Sequence, residues 1–185
     1  SGTFNSAMLG RDACSAPDHV TVIDSRWTSM CMGMAVIAAA RAGLAGASLG
    51  EARAAAEAVL STVELLLFVD TLEYLQRGGR IGAARAFLGG LLSIKPLITL
   101  RDGVVQPAGQ VRTRARALER LRQWAGEHPA VKGYCVLHTA SPSDAQRLFD
   151  ELHARFPDAE AYLTECGPVV ATHVGPGGVG LTLYG

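Results

Sequence analysis

Apolar positions fall into two regimes along the chain. Up to about residue 62 they recur mostly at helical spacing; beyond it, strand-length apolar runs alternate with helical stretches. Ser1-Gly-Thr leads into a helix over 4–13, where hydroxyls suit both an N-cap and an anion. The β-branched run 19–24 reads as a buried strand, with Asp24-Ser25 at its end as turn residues. Ser29 then caps a helix over 30–42 whose face carries Met30, Met34, Ile37 and Ala38, and Gly43 and Gly46 end it. Ser48-Leu-Gly-Glu51 has the pattern of a capping box and opens a helix over 49–61. A single strand makes no sheet, so 19–24 either pairs with later strands or has partners upstream of Ser1.

The second regime opens with a strand over 65–69 and a helix over 71–77 that stops at Gly78-Gly79. An apolar helical stretch precedes a strand over 95–100, and Asp102-Gly103 is a hairpin signal before its partner, 104–111. A helix over 113–126 places Ala115, Leu118, Leu121 and Trp124 on one face. A strand over 133–138 follows. Ser141-Pro142 starts a helix with the core stripe Ala145, Leu148, Phe149 and Leu152. A strand over 159–164, a short helix over 167–173, a glycine loop and a strand over 179–184 complete the chain. The expected fold is a two-domain α/β protein: a partial N-terminal α/β layer over 1–62, and a C-terminal α+β domain over 63–185 with about six mixed or antiparallel strands.

Composition narrows the function. Lys plus Arg and Asp plus Glu balance at 17 each, so no net field draws nucleic acid. Mean hydropathy is +0.20, but the longest apolar run, 30–40, is about half of what a membrane-spanning helix needs. Stable membrane insertion is therefore not expected. The four cysteines have no metal-ligand spacing and read as reduced thiols of a cytoplasmic protein. The chain opens without the basic start and apolar core of a secretory signal, and without Met, as a processed protein or part of a longer one would.

No nucleophile elbow, phosphate-binding loop, paired-carboxylate motif or metal signature is present, so no catalytic residue, cofactor or metal is expected. Two places remain. Gly78-Gly79-Arg80 is either a cationic corner or a plain helix stop. His173 stands beside Gly175-Pro-Gly-Gly178, where three glycines in four positions mark unusual torsions or a close approach; a tight turn is the structural alternative. Arg112, Arg114 and Arg116 surround a helix start, where the dipole opposes them unless an acidic group or anion meets them. A solvated basic face accounts for Arg114 and Arg116.

Four segments taken together resemble the DegV family of bacterial fatty-acid-binding proteins: Ser1-Gly-Thr-Phe-Asn-Ser-Ala7, the run from Val22-Ile-Asp-Ser25 to Gly33, Leu72-Glu-Tyr-Leu-Gln-Arg-Gly-Gly-Arg-Ile81, and Gly167-Pro to His173-Val-Gly-Pro-Gly177. The resemblance implies a two-domain carrier that holds a long-chain fatty acid and presents its carboxylate to a fatty acid kinase. The acyl phosphate so formed feeds phospholipid synthesis, and the carrier is not the catalyst. By position, Ser1, Thr3 and His173 match the carboxylate end, and Arg80 and Arg112 match positions facing the kinase or the phosphate. The aliphatic residues Phe87, Leu88, Leu91, Leu92, Ile94 and Leu97 are the candidate acyl wall. Family members carry a further N-terminal stretch, with a carboxylate-holding Thr, that has no counterpart here. The alternatives are a phospho-carrier or small-metabolite enzyme using His173, and a half-domain without a ligand.

Overall fold

A computed structural model describes residues 2–88 and 94–185. The chain enters through helix α1 (Gly2–Ala13), which buries none of its residues. The run 19–24 does not become a strand. A 3-10 turn at Pro17–His19 is followed by irregular backbone up to helix α2 (Ser29–Leu44). The run has the composition of a strand, but no described strand pairs with it, and a strand persists only where a neighbour takes its backbone hydrogen bonds. Ser29 is not the cap of α2 either. That position falls to Thr28, without a side-chain bond, and Ser29 itself takes φ 53°.

Helix α3 (Leu49–Thr62) starts at the expected capping box. The Ser48 hydroxyl accepts from Glu51 N–H, and the Ser48 N–H donates back to the Glu51 carboxylate at 2.8 Å. That bond holds the Glu51 carboxyl below its ordinary value.

Among the described residues, six strands form one sheet: β1 (Glu64–Phe68), β2 (Lys95–Arg101), β3 (Val104–Val111), β4 (Gly133–His138), β5 (Glu160–Glu165) and β6 (Val179–Tyr184), in the order β3-β2-β1-β6-β4-β5. All pairings are antiparallel except β4 with β5. That pair is joined by helix α6 (Pro142–Arg155), as a parallel connection requires. Asp102 and Gly103 both take positive φ, 52° and 75°, the torsions of a two-residue hairpin loop with right-handed twist. Pro107 sits on the edge strand β3, where no ladder donor is needed, beside a register shift opposite Leu97 and Ile98.

The sheet is covered on both faces. On one, Leu65, Leu67, Val69, Ile98 and Leu137 pack under α2 and α3. On the other, Leu66, Phe68, Leu97, Val136 and Leu181 pack under α6 and helix α5 (Arg114–Gly126). The α5 stripe lies around Ala117, Leu121 and Ala125; Ala115 is exposed, so the expected face is rotated by part of a turn. Of the stretch expected as an apolar helix after Gly79, Gly82–Phe87 forms a 3-10 turn, and residues 89–93 lie outside the described residues. Among the described residues, no helix is long and apolar enough to cross a membrane.

Candidate functional site

The two most specific sequence segments meet in space. Helix α4 (Glu73–Arg77) ends in a Schellman motif: Gly79 N–H donates to Gln76 O at 3.1 Å, and Arg80 N–H to Leu75 O at 2.9 Å. Gly79 takes φ 67°, so it serves the helix stop. Gly78 does something else. Its backbone is right-handed and ordinary, but a Cβ there would overlap the His173 ring.

His173 lies near the end of helix α7 (Pro168–Val174). Its Nδ1 is buried and has no hydrogen-bond partner among the described residues. Gly175, at φ 74°, ends α7 and packs against the Tyr74 ring, where a Cβ would collide. The corner around His173 is thus walled by α4 and its glycines on one side and by the glycine loop on the other.

The loop over 175–178 is held from two directions. Thr139, at the end of β4, is buried; its hydroxyl donates to Gly175 O at 2.5 Å and accepts from Gly178 N–H at 2.9 Å. Its backbone exchanges further bonds with Gly177 and Gly178. From the other layer, Arg114 donates to Gly177 O at 2.6 Å and to Asp70 at 3.2 Å, and forks onto Asp144 and Ser141. Lys95 also reaches Asp70, at 2.9 Å. The solvated face expected for Arg114 is therefore corrected: acidic partners from β1's end and α6 offset the unfavourable dipole. The helix-start position was the signal for such partners, but residues 70 and 144 could not be singled out from sequence. Thr139 and Asp70 carried no signal of their own.

The other expected site residues are dispersed. Ser1, Leu91 and Leu92 lie outside the described residues. Thr3 is exposed on α1 and its side chain makes no hydrogen bond among the described residues. Arg80 is exposed and donates to Gly78 O at 3.1 Å. Arg112 is exposed just past β3. Phe87 packs on the α2/α3 face, Leu88 is 38% exposed, and Ile94 is half-buried. Leu97 does not share that wall. Side chains alternate along β2, so Leu97 enters the α5/α6 core and Ile98 takes the α2/α3 face. A cleft of about 390 Å3 opens at the far end of the sheet, lined by Trp27, Leu60, Val63 and Leu100 with Arg26, Glu64, Arg101 and Asp102 at its polar part. Neither Phe87 nor His173 lines it.

Burial pushes the Cys31 and Cys135 thiols up to about 12 and raises that of Cys166, so these three are poor nucleophiles. Among the described residues, no group of three His, Cys, Asp or Glu side chains could hold a metal ion.

This geometry belongs to a recognisable class of mixed α/β folds. A family model described as "Uncharacterised protein, DegV family" matches residues 1–185, and the chain belongs to the DegV family. A DegV domain-containing protein of Streptomyces coelicolor is 39% identical over 99% of this chain and 66% of its own length. A DegV family protein from Thermus thermophilus, whose structure is described as showing fatty acid binding, superposes at TM-score 0.89 with 36% identity; the match covers 100% of this chain and 66% of that one. DegV of Bacillus subtilis, described as a fatty acid binding protein, superposes at TM-score 0.84 with 30% identity, covering 100% and 67%. The chain thus spans slightly less than two thirds of the Streptomyces relative.

Proposed function

We propose that the protein binds a long-chain fatty acid and presents its carboxylate to a fatty acid kinase, which forms an acyl phosphate destined for phospholipid synthesis. On this reading it is a non-catalytic, cytoplasmic carrier, and the fatty acid is its ligand in place of any cofactor. The observation that carries the reading is the His173 corner: a buried ring nitrogen without a partner among the described residues, walled by both motif segments. An unmatched buried polar atom costs about 1–3 kcal/mol, which a ligand oxygen in hydrogen-bond reach removes. Two similar proteins described as fatty acid binding support the choice of ligand.

In this proposal Ser1 and Thr3 complete the carboxylate end with His173, and Phe87, Leu88, Leu91, Leu92 and Ile94 line the acyl chain, with Ile98 in place of Leu97 on the sheet. Burying each methylene contributes about 0.8 kcal/mol, so a long chain supplies on the order of 10 kcal/mol before ordering costs. Arg80 and Arg112, both exposed, are free to face the kinase and its phosphate. The segments 1–62 and 63–185 act as the two sides of the site.

The test is mass spectrometry of an organic extract of the protein purified from a bacterial host. A long-chain acid near one per chain is expected, and its loss in His173→Ala at preserved fold. An extract without acyl chains overturns the reading.

A further inference from the structure

The loop that ends at β6 is joined to α5, α6 and the end of β1 through one side chain. Arg114 uses four of its five N–H donors: Nε to Asp144, Nη1 to Asp70 and to Gly177 O, and Nη2 to Ser141. Its guanidinium also stands 5.1 Å from the Phe68 ring centroid, and its side chain is 29% exposed. Only one of these partners, Gly177 O, belongs to the glycine loop. Gly177 takes φ 88°, and a Cβ there would overlap the Asp70 carboxylate. The Gly177 carbonyl and the Asp70 carboxylate, both electron-rich, accept from the same Arg114 Nη1. Two residues back, Gly175 closes α7 by donating to Ala171 O at 2.8 Å, and that turn carries His173 against Gly78.

We propose that Arg114 is a positioning residue for the His173 corner: by bridging Asp70, Asp144 and Gly177 O it sets the path of the 175–178 loop and through it the place of the imidazole. Without the guanidinium, Lys95 still answers Asp70 and Arg147 still reaches Asp144 at 3.3 Å, but the Gly177 carbonyl loses its Arg114 donor. The loop then keeps its Thr139 anchor and loses the tether to the second helical layer. Lysine retains the charge but gathers its donors on one nitrogen in place of the planar fork, so it restores the arrangement in part. The consequence for ligand retention rests on the carrier reading above; the consequence for His173 does not.

The experiment compares wild type, Arg114→Lys, Arg114→Ala and a control, Leu152→Ala, whose side chain is buried in α6 away from the loop. Two quantities are read on the purified protein: the imidazole Cε1–H resonance of His173, assigned by its loss in His173→Gln, and the thermal midpoint. Arg114→Ala is expected to displace the His173 resonance while leaving those of His19, His128 and His153 in place. Arg114→Lys moves it less, and Leu152→Ala lowers the midpoint without moving it. A His173 resonance in Arg114→Ala that coincides with wild type overturns the proposal, as does an equal displacement in Leu152→Ala. Should Arg114→Ala fail to fold, the same criterion is applied to Arg114→Lys. Extracted acyl chain, read in parallel, should fall about tenfold in Arg114→Ala, the effect of one charge-assisted hydrogen bond. A displaced resonance with unchanged acyl content upholds the positioning role and counts against His173 as the carboxylate contact.

Discussion

Gly78 and Gly79 are adjacent, and they are glycines for different reasons. Gly79 sits at φ 67°, a torsion that costs an L side chain about 1–2 kcal/mol. Gly78 has φ −76° and ψ −3°, open to any residue, and lacks a side chain because His173 fills the space. Denaturant unfolding should separate the two. Gly79→Ala loses about 1 kcal/mol, and Gly79→Asn recovers part of it because Asn tolerates the left-handed region. Gly78→Ala loses about 1–3 kcal/mol through overpacking, and Gly78→Asn does no better. Equal responses at both positions would remove the steric account of Gly78. The double glycine was readable as a helix stop, but that its first member makes room for His173 was not, since nothing local at position 78 distinguishes it from its neighbour.

At the scale of elements, most short-ranged signals held, the Ser29 cap excepted. The Ser48–Glu51 box, Pro142 at the first position of α6 and the Asp102-Gly103 hairpin each satisfy their own backbone within a few residues. Ser48→Ala is expected to cost about 1 kcal/mol in equilibrium unfolding with an unchanged denaturant slope. A null effect would mean that tertiary packing alone holds the start of α3. The signals that misled depended on a partner. The run 19–24 has strand composition and no described ladder, and Ala115 has helical spacing but faces solvent while Ala117 is fully buried. Periodicity reports that a stripe exists; the neighbouring layer selects which residues of it are covered.

For the molecule as a whole, ties between layers fall at the edges as well as the centre. Arg41 of α2 forks onto Glu160 at the start of β5, joining a covering helix to an edge strand. The Arg41 hydrogen bond is the main cause that holds the Glu160 carboxyl below its ordinary 4.5. A depressed carboxyl contributes stability at neutral pH, and that contribution is lost as pH falls through the depressed value. Glu160→Gln should therefore be less stable than wild type at pH 7, by no more than about 1 kcal/mol for so exposed a pair. The gap should close in acid below the ordinary 4.5. Thermal melts across pH read this directly, and a gap independent of pH would rule out the ionic tie.

The amino-acid sequence by itself determined where along the chain the six strands beyond residue 62 fall, the hairpin, the starts of α3 and α6 and the two segments that matter most, Leu72 to Ile81 and Gly167 to Gly177. Those features rest on torsions, caps and periodicities that act between near neighbours. Only the tertiary structure decided that Leu97 and Ile98 part to opposite layers, that Arg114 meets Asp70, Asp144 and Gly177, and that Gly78 faces an imidazole whose buried nitrogen has no partner among the described residues. Each of these depends on how layers stack and which distant backbone comes within hydrogen-bond reach, and local chemistry does not encode that separately from the packing of the whole chain.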